Sequence, residues 1–286
     1  MTEILVSLQS LLPQHGLSRL VGWLADLERP VWLKRLLIVA FARAYDIDFG
    51  YTESRRSAEW RSFNEFFTRG LVEGTRPVAD TRYVQPAEGL LSQCGVIDEG
   101  WLVQAKGRWY SAHDLLAGSA EEAQAFDGAS FMTTYLSPRD YHRVHMPISG
   151  RLTRTRYVPG DLFAVNQHTA RGVDRLYARN ERLVCFFDTA DGEMALVLVG
   201  AVIVAGIETV WAGREAPAPA GVVDKDWRGA DIQLAAGEEM GRFYLGSTVV
   251  ALLPRENLEW CAAAGEMVKV NAPLAVPMDN DTASAT

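Results

Sequence analysis

From Gln85 onward, glycines, prolines and acidic turns cut the chain into runs of Val, Ile, Leu and aromatic residues that are too short for ordinary helices. Residues 90–97, 101–105, 150–157, 183–188 and 195–205 are such runs, and each predicts a strand. Short helical insertions are predicted near 113–116 and 174–178. Strands in this density, following a differently patterned N-terminal part, predict an α+β chain. Its mostly antiparallel β core is preceded by an N-terminal helical region.

Within residues 4–24 leucines recur near helical spacing, and Pro13, His15 and Gly16 interrupt them. Two short helices are predicted there, with His15 as a polar turn residue. A third helix is predicted from about 30 to 45, where Trp32, Leu36 and Phe41 leave Lys34, Arg35 and Arg43 on less apolar positions. This basic amphipathic face admits two readings, packing on the core or lying on a bilayer with the aromatic rings at the headgroups. Ser62 three residues before Glu65 resembles a capping box opening the SFNEFF word at 62–67. Residues 69–80 form a bend-rich connection rather than a flexible linker.

The longest apolar stretch, 194–207, has 14 residues and contains Gly200 and Gly206. That falls short of the ~20 residues of a spanning helix. Three regions follow: a helical region and connection over 1–84, a β-rich core over 85–276, and a short acidic tail over 277–286, predicted disordered. A formal net charge of -8 argues against a nucleic-acid protein. Cys94, Cys185 and Cys261 make neither a metal-ligand spacing nor a disulfide framework, so no metal is expected and a reducing compartment fits.

The word FYLGSTVV at 243–250 places a glycine directly before two hydroxyl residues in a strand-like setting. Gly-Ser-Thr alone reads as a turn or bulge, and no GxSxG nucleophile elbow is present. A second word, TTYLSPRDYHRVHMP at 133–147, carries two histidines about a hundred residues earlier. Together YLGST at 244–248 and this word resemble the phosphatidylserine decarboxylase proenzymes of the bacterial membrane type. The resemblance runs from the helical N-terminus to Val276.

What the resemblance implies is specific. Ser247 attacks the carbonyl of Gly246 and the chain is cleaved between 246 and 247. Ser247 becomes a pyruvoyl group that forms a Schiff base with the substrate amine, and phosphatidylserine loses carbon dioxide to give phosphatidylethanolamine. Fragments 1–246 and 247–286 stay associated. His145 matches the self-cleavage base, and His142 a substrate or decarboxylation residue. Glu88, in QPAEG, falls where the family ordinarily has aspartate; it keeps the charge that would orient His145 but adds a methylene. Arg139, Arg143, Phe163 and Asn166 are the expected headgroup-pocket residues. A homodimer is implied, as is peripheral attachment at the cytoplasmic face of the bacterial inner membrane through the N-terminal helices. The reading from a different class is a catalytically inactive peripheral-membrane scaffold.

Overall fold

The computed structural model describes residues 14–201, 206–217, 221–244 and 247–278. The helix predicted within residues 4–12, most of the predicted tail and Gly246 lie outside the described residues.

Three helices open the described chain: α1 (Gln14–Asp26), α2 (Val31–Ala44) and α3 (Phe63–Phe67). The break expected at His15 and Gly16 is absent, because α1 runs unbroken through both. An interior glycine costs a helix only about 1 kcal/mol, which neighbouring turns can offset. Ser62 caps α3 by accepting from Glu65 N at 3.1 Å, but the Glu65 carboxylate turns to Arg61, so half of the expected capping box forms.

In α2 the buried stripe is Lys34, Ile38 and Ala42, spaced by four. Lys34, expected on the polar face, is instead buried and donates to Trp60 O at 2.6 Å. Its aliphatic stem can pack while the ammonium finds a carbonyl. A small core of Ile38, Trp60, Phe63, Phe66 and Phe67 joins the three helices. Outward stand Trp23 at 60%, Trp32 at 67% and Leu36 at 58% exposure, with Leu20 beside them in the sequence of α1.

The rest is mostly strand. In order come β1 (Tyr83–Val84), β2 (Gly89–Val96), β3 (Trp101–Ala105), β4 (Arg108–Ser111), α4 (Ala112–Leu116), α5 (Ala120–Gln124), β5 (Ser130–Leu136), β6 (Arg143–His145) and β7 (Gly150–Val158). Then follow α6 (Gln167–Gly172), α7 (Leu176–Arg179), β8 (Arg182–Thr189), β9 (Gly192–Val199), β10 (Gly206–Thr209), β11 (Gly213–Ala216), β12 (Val223–Asp226) and β13 (Gln233–Leu234). The last are β14 (Glu239–Tyr244), β15 (Ser247–Leu252), β16 (Leu258–Trp260), β17 (Met267–Val268) and β18 (Pro273–Pro277). Four predicted strand runs correspond to β2, β3, β7 and β8, and 195–199 of the fifth to β9, which ends before Gly200, while 202–205 lie outside the described residues; the two helical insertions correspond to α4 and α7.

A nine-stranded antiparallel sheet runs β12-β7-β8-β9-β15-β5-β2-β17, with β13 also on β7, and a four-stranded sheet runs β11-β10-β14-β6. Side chains alternate between faces along a strand, so β15 divides its own. Val249 and Ala251 join a core with Met240, Phe243 and Ile207 of the four-stranded sheet. Val250 and Leu252 join a second core, with Leu115, Phe126 and Tyr177 from the helices. Period two places Ser247 on the Val249 face, the side covered by β6 and β14.

Candidate active site

Ser247 is the first residue of β15 and lies opposite Leu136, the last residue of β5. The chain beyond Leu136 turns tightly: Ser137 N and Oγ both donate to Asp140 Oδ2, at 2.7 and 2.6 Å. It then pairs with β14, where Phe243 N donates to His142 O at 3.0 Å and Arg143 lies opposite Arg242. One segment, 136–143, therefore runs antiparallel to both the strand that ends at Tyr244 and the strand that begins at Ser247. β pairing thus ties the histidine word both to Phe243 of β14 and to Ser247 of β15.

Ser247 is fully buried and its Oγ has no hydrogen-bond partner among the described residues. A buried hydroxyl left unpaired costs about 1–3 kcal/mol and calls for a reason. His142 is also fully buried, with its ring against Phe67 at 4.0 Å between centroids. Its Nδ1 donates to Asp140 O at 2.8 Å, while Nε2 is buried without a partner. Burial first, then the nearby Arg69 guanidinium, push the His142 pKa down to about 3, so the ring is neutral.

His145, three residues further along, lies opposite Glu239. Its Nδ1 donates to Gly237 O at 2.8 Å, and Nε2 accepts from Tyr141 OH at 3.1 Å. Burial lowers its pKa against the opposing pull of Gly237 O and Glu239. Both histidines thus share one tautomer with Nε2 unprotonated; that of His142 has no partner among the described residues, and that of His145 is held by Tyr141 OH.

The acid expected to orient His145 is placed otherwise. Glu88 accepts from Arg76 Nε at 2.8 Å and Nη2 at 3.2 Å, and from Lys269 Nζ at 2.8 Å. The His145 Nδ1 that an orienting carboxylate would hold is taken by Gly237 O. The physical reason is competition: two cations lie within reach of the longer glutamate, and a charge-assisted bidentate pair is stronger than a bond to a neutral ring. Glu88, Asp140, Tyr141, Arg69 and Arg139 nevertheless line one cavity of about 340 Å³. Burial, with the Glu88 charge adding to it, raises the Asp140 pKa against the Ser137 hydrogen bonds.

Of the four expected headgroup residues, two lie at this site. Arg139 is exposed beside Asp140, and Arg143 donates to Thr68 O at 2.9 Å and Glu239 at 2.9 Å. Arg143 also lines a second, polar cavity of about 420 Å³ with Arg69, Arg242 and Tyr244. Phe163 and Asn166 do not join them. Phe163 is buried in the helix-covered core on the other face of the large sheet, and Asn166 caps α6 by accepting from Thr169 N at 3.0 Å. Their words punctuate strands, and turn chemistry explains them. Arg69, Arg76 and Lys269 are site residues that the motifs did not single out. The signal for Arg69 is its place two residues after the aromatic FNEFF word. Among the described residues no group of His, Cys, Asp and Glu could hold a metal ion.

A buried hydroxyl at the start of β15, on a strand paired with the segment that leads into two histidines with unprotonated Nε2 atoms, is an arrangement suited to proton transfer. The family model described as phosphatidylserine decarboxylase matches residues 63–276, and a second, described as PSD, matches 4–46. A phosphatidylserine decarboxylase proenzyme of Alcanivorax borkumensis is 49% identical over 278 residues, 95% of each chain. Proteins of the same name from Chromobacterium violaceum and Acinetobacter baumannii are 51% and 50% identical, covering 92% and 90% of this chain and 95% and 90% of their own. The chain belongs to the phosphatidylserine decarboxylase family. It is an enzyme of the decarboxylase class, and the inactive-scaffold reading is not favoured.

Proposed function

We propose that the chain is the self-processing precursor of a pyruvoyl-dependent decarboxylase that converts phosphatidylserine to phosphatidylethanolamine and carbon dioxide. The observation that carries the processing step is Ser247: buried, without a partner for Oγ, at the start of a strand held on both sides. An oxygen that is to be consumed has no use for a permanent partner. Its attack on the Gly246 carbonyl forms a C–O bond as the 246–247 C–N bond breaks, leaving an ester and a free amine. Loss of the Ser247 Cα proton then expels the Gly246 carboxylate from Cβ, and water replaces the nitrogen of the resulting dehydroalanine, releasing ammonia.

The two pieces stay together because each end is tied into a ladder. Ser247–Leu252 pairs with β5 and β9, and β14 pairs with β10 and β6. Once formed, the pyruvoyl group supplies an electron-accepting carbonyl for loss of carbon dioxide from an amino-acid headgroup. The chain's own residues bind, orient and move protons. His145 is the proposed base for Ser247, its tautomer fixed by Gly237 O and its Nε2 reached through Tyr141 OH. His142, with an unpartnered Nε2 beside Phe67, is the proposed proton carrier in decarboxylation. The same orphan nitrogen favours a second reading in which His142 itself activates Ser247. Arg139 and Arg143 are the proposed anion partners of the headgroup.

Region 1–84 is the proposed membrane-association unit and 85–276 the catalytic core. Trp23, Trp32 and Leu36 expose an apolar surface, with the exposed Arg19 and Arg35 in the same helices. This suits an interfacial helix pair on an anionic bilayer. Among the described residues no helix is long and apolar enough to cross a membrane. The proposed location is the cytoplasmic face of the inner membrane, with the processed pair as a homodimer.

Denaturing mass spectrometry of the purified chain, before and after incubation, tests the processing. Expected are fragments 1–246 and 247–286, the smaller bearing a pyruvoyl terminus and decarboxylating phosphatidylserine in vesicles; Ser247→Ala stays whole. His145→Ala is expected to block cleavage and His142→Ala to cleave but not decarboxylate. The reverse result exchanges the two roles, and an uncut, inactive wild-type chain rejects the proposal.

A further inference from the structure

Arg69 follows α3 and is 6% exposed, yet no carboxylate lies within ion-pair distance of it among the described residues. Its guanidinium is spent on backbone carbonyls: Nη1 donates to Phe67 O at 3.4 Å, and Nη2 to Arg139 O at 2.7 Å and Asp140 O at 3.2 Å. Burial pushes its pKa down to about 10, so it remains charged. Burying a charge without an opposing charge is costly, and carbonyl dipoles offset that cost only in part.

The carbonyl it holds identifies the purpose. Asp140 O is also the acceptor for His142 Nδ1 at 2.8 Å. A carbonyl has two lone pairs, and here one takes the arginine and the other the imidazole. The adjoining residues grip the same segment: the Phe67 ring lies on His142, and Thr68 O accepts from Arg143 Nε. We infer that Arg69 is a positioning residue for His142: by fixing the Asp140 carbonyl it locks the imidazole as the Nδ1–H tautomer and leaves its buried Nε2 unprotonated. The inference rests on the proton-carrying role proposed for His142, but the tautomer can be read without any activity.

The charge on Arg69 also matters, because a cation beside His142 disfavours the imidazolium. The other charged groups around the ring are occupied elsewhere. The Asp140 carboxylate faces Ser137, Arg143 is paired with Glu239, and Arg242 of β14 is paired with Glu239 and Glu208. Phe243 contributes only its backbone N–H. Glu88, the Asp140 carboxylate and Tyr141 also act on Arg69, each opposing the effect of burial.

The test compares Arg69→Met and Arg69→Lys with the parent, all full-length and carrying Ser247→Ala so that one uncut form is present. Histidine ring nitrogens are read by 15N NMR, the His142 signal being assigned by its loss in His142→Gln. Expected is a parent ring that stays Nδ1–H and does not titrate between about pH 5 and 8. Arg69→Met should mix the tautomers and move the titration up toward the ordinary imidazole range of about 6.5. Arg69→Lys should keep the charge effect and lose the single tautomer. In chains that retain Ser247, Arg69→Met should lower kcat for phosphatidylserine by roughly 100-fold, with KM little changed and the acid limb of the pH profile shifted upward. An unchanged Nδ1–H ring in a folded Arg69→Met chain overturns the inference. If that variant does not fold, unchanged nitrogen shifts in Arg69→Lys do so instead. Loss of the tautomer with unaltered decarboxylation would sustain the positioning and remove His142 from the chemistry.

Discussion

Glu88→Gln separates an anchoring role for this carboxylate from a role in orienting His145. Glu88 is 7% exposed and carries a two-point contact to Arg76 and a single contact to Lys269. Removing one member of a fully buried ion pair costs about 3–5 kcal/mol, whereas exposed pairs contribute about 0–1 kcal/mol. The Arg76 side chain is 17% exposed and that of Lys269 59%, so the first contact dominates and neither reaches the buried limit. Glutamine still accepts one hydrogen bond, and a loss of about 2–3 kcal/mol is expected. For a chain of this size that is roughly 4–8 °C in Tm. Burial alone would raise the Glu88 pKa, but the hydrogen bonds and charges of Arg76 and Lys269 outweigh it, and the net shift is downward. A carboxylate with a depressed folded pKa contributes stability above its unfolded pKa, and that contribution is lost as pH falls through the folded value. The difference between wild type and Glu88→Gln should therefore be full at neutral pH and vanish in acid. The assay is a denaturant titration across pH, with Arg76→Met and the double variant completing a cycle and processing followed by mass spectrometry. Glu88→Gln and Arg76→Met should slow processing in parallel, through the loosened pocket. A change below about 0.5 kcal/mol would refute the anchoring argument. Abolished cleavage in a Glu88→Gln chain of unaltered stability, with Arg76→Met normal, would restore the carboxylate to the chemistry.

Gly89→Ala should destabilise the chain by at least about 1–3 kcal/mol in the same titration, because φ is 156° and an added Cβ would lie 2.2 Å from Tyr135 O. A wild-type midpoint would show that β2 can move away from β5. Trp23→Glu with Trp32→Glu should leave the melting temperature within about 2 °C, both rings being exposed. The pair should lower flotation with phosphatidylserine vesicles by tenfold or more, about 1.4 kcal/mol. Unchanged flotation would reject α1 and α2 as the membrane face.

Short β-branched runs cut by glycine at 85–276 suffice to read antiparallel strands, since alternation and punctuation are local properties of a strand. The α2 periodicity was legible too, but its direction was not. A helix presents several apolar residues, and only the packing of α1 and α3 selects Ile38 and Ala42 as the inward ones and leaves Trp32 and Leu36 outside. Phe163 and Asn166 show the limit of a motif carried from sequence to site. Their words were recognised, but the large sheet separates Phe163 from Ser247's face, and Asn166 caps a helix.

The words YLGST and YHRVHMP carried the family resemblance, and the candidate reaction follows from that resemblance, since Gly-Ser-Thr alone reads as a turn or bulge. What only the tertiary structure decided is who holds whom. Bonds between residues far apart in the chain set the His145 tautomer, turn Glu88 to Lys269 and bring Arg69 under the Asp140 carbonyl, which in turn holds the nearby His142. Sequence spacing carries the identity of such groups but not their partners, since a buried donor or acceptor takes whichever complementary group the packed chain delivers to it.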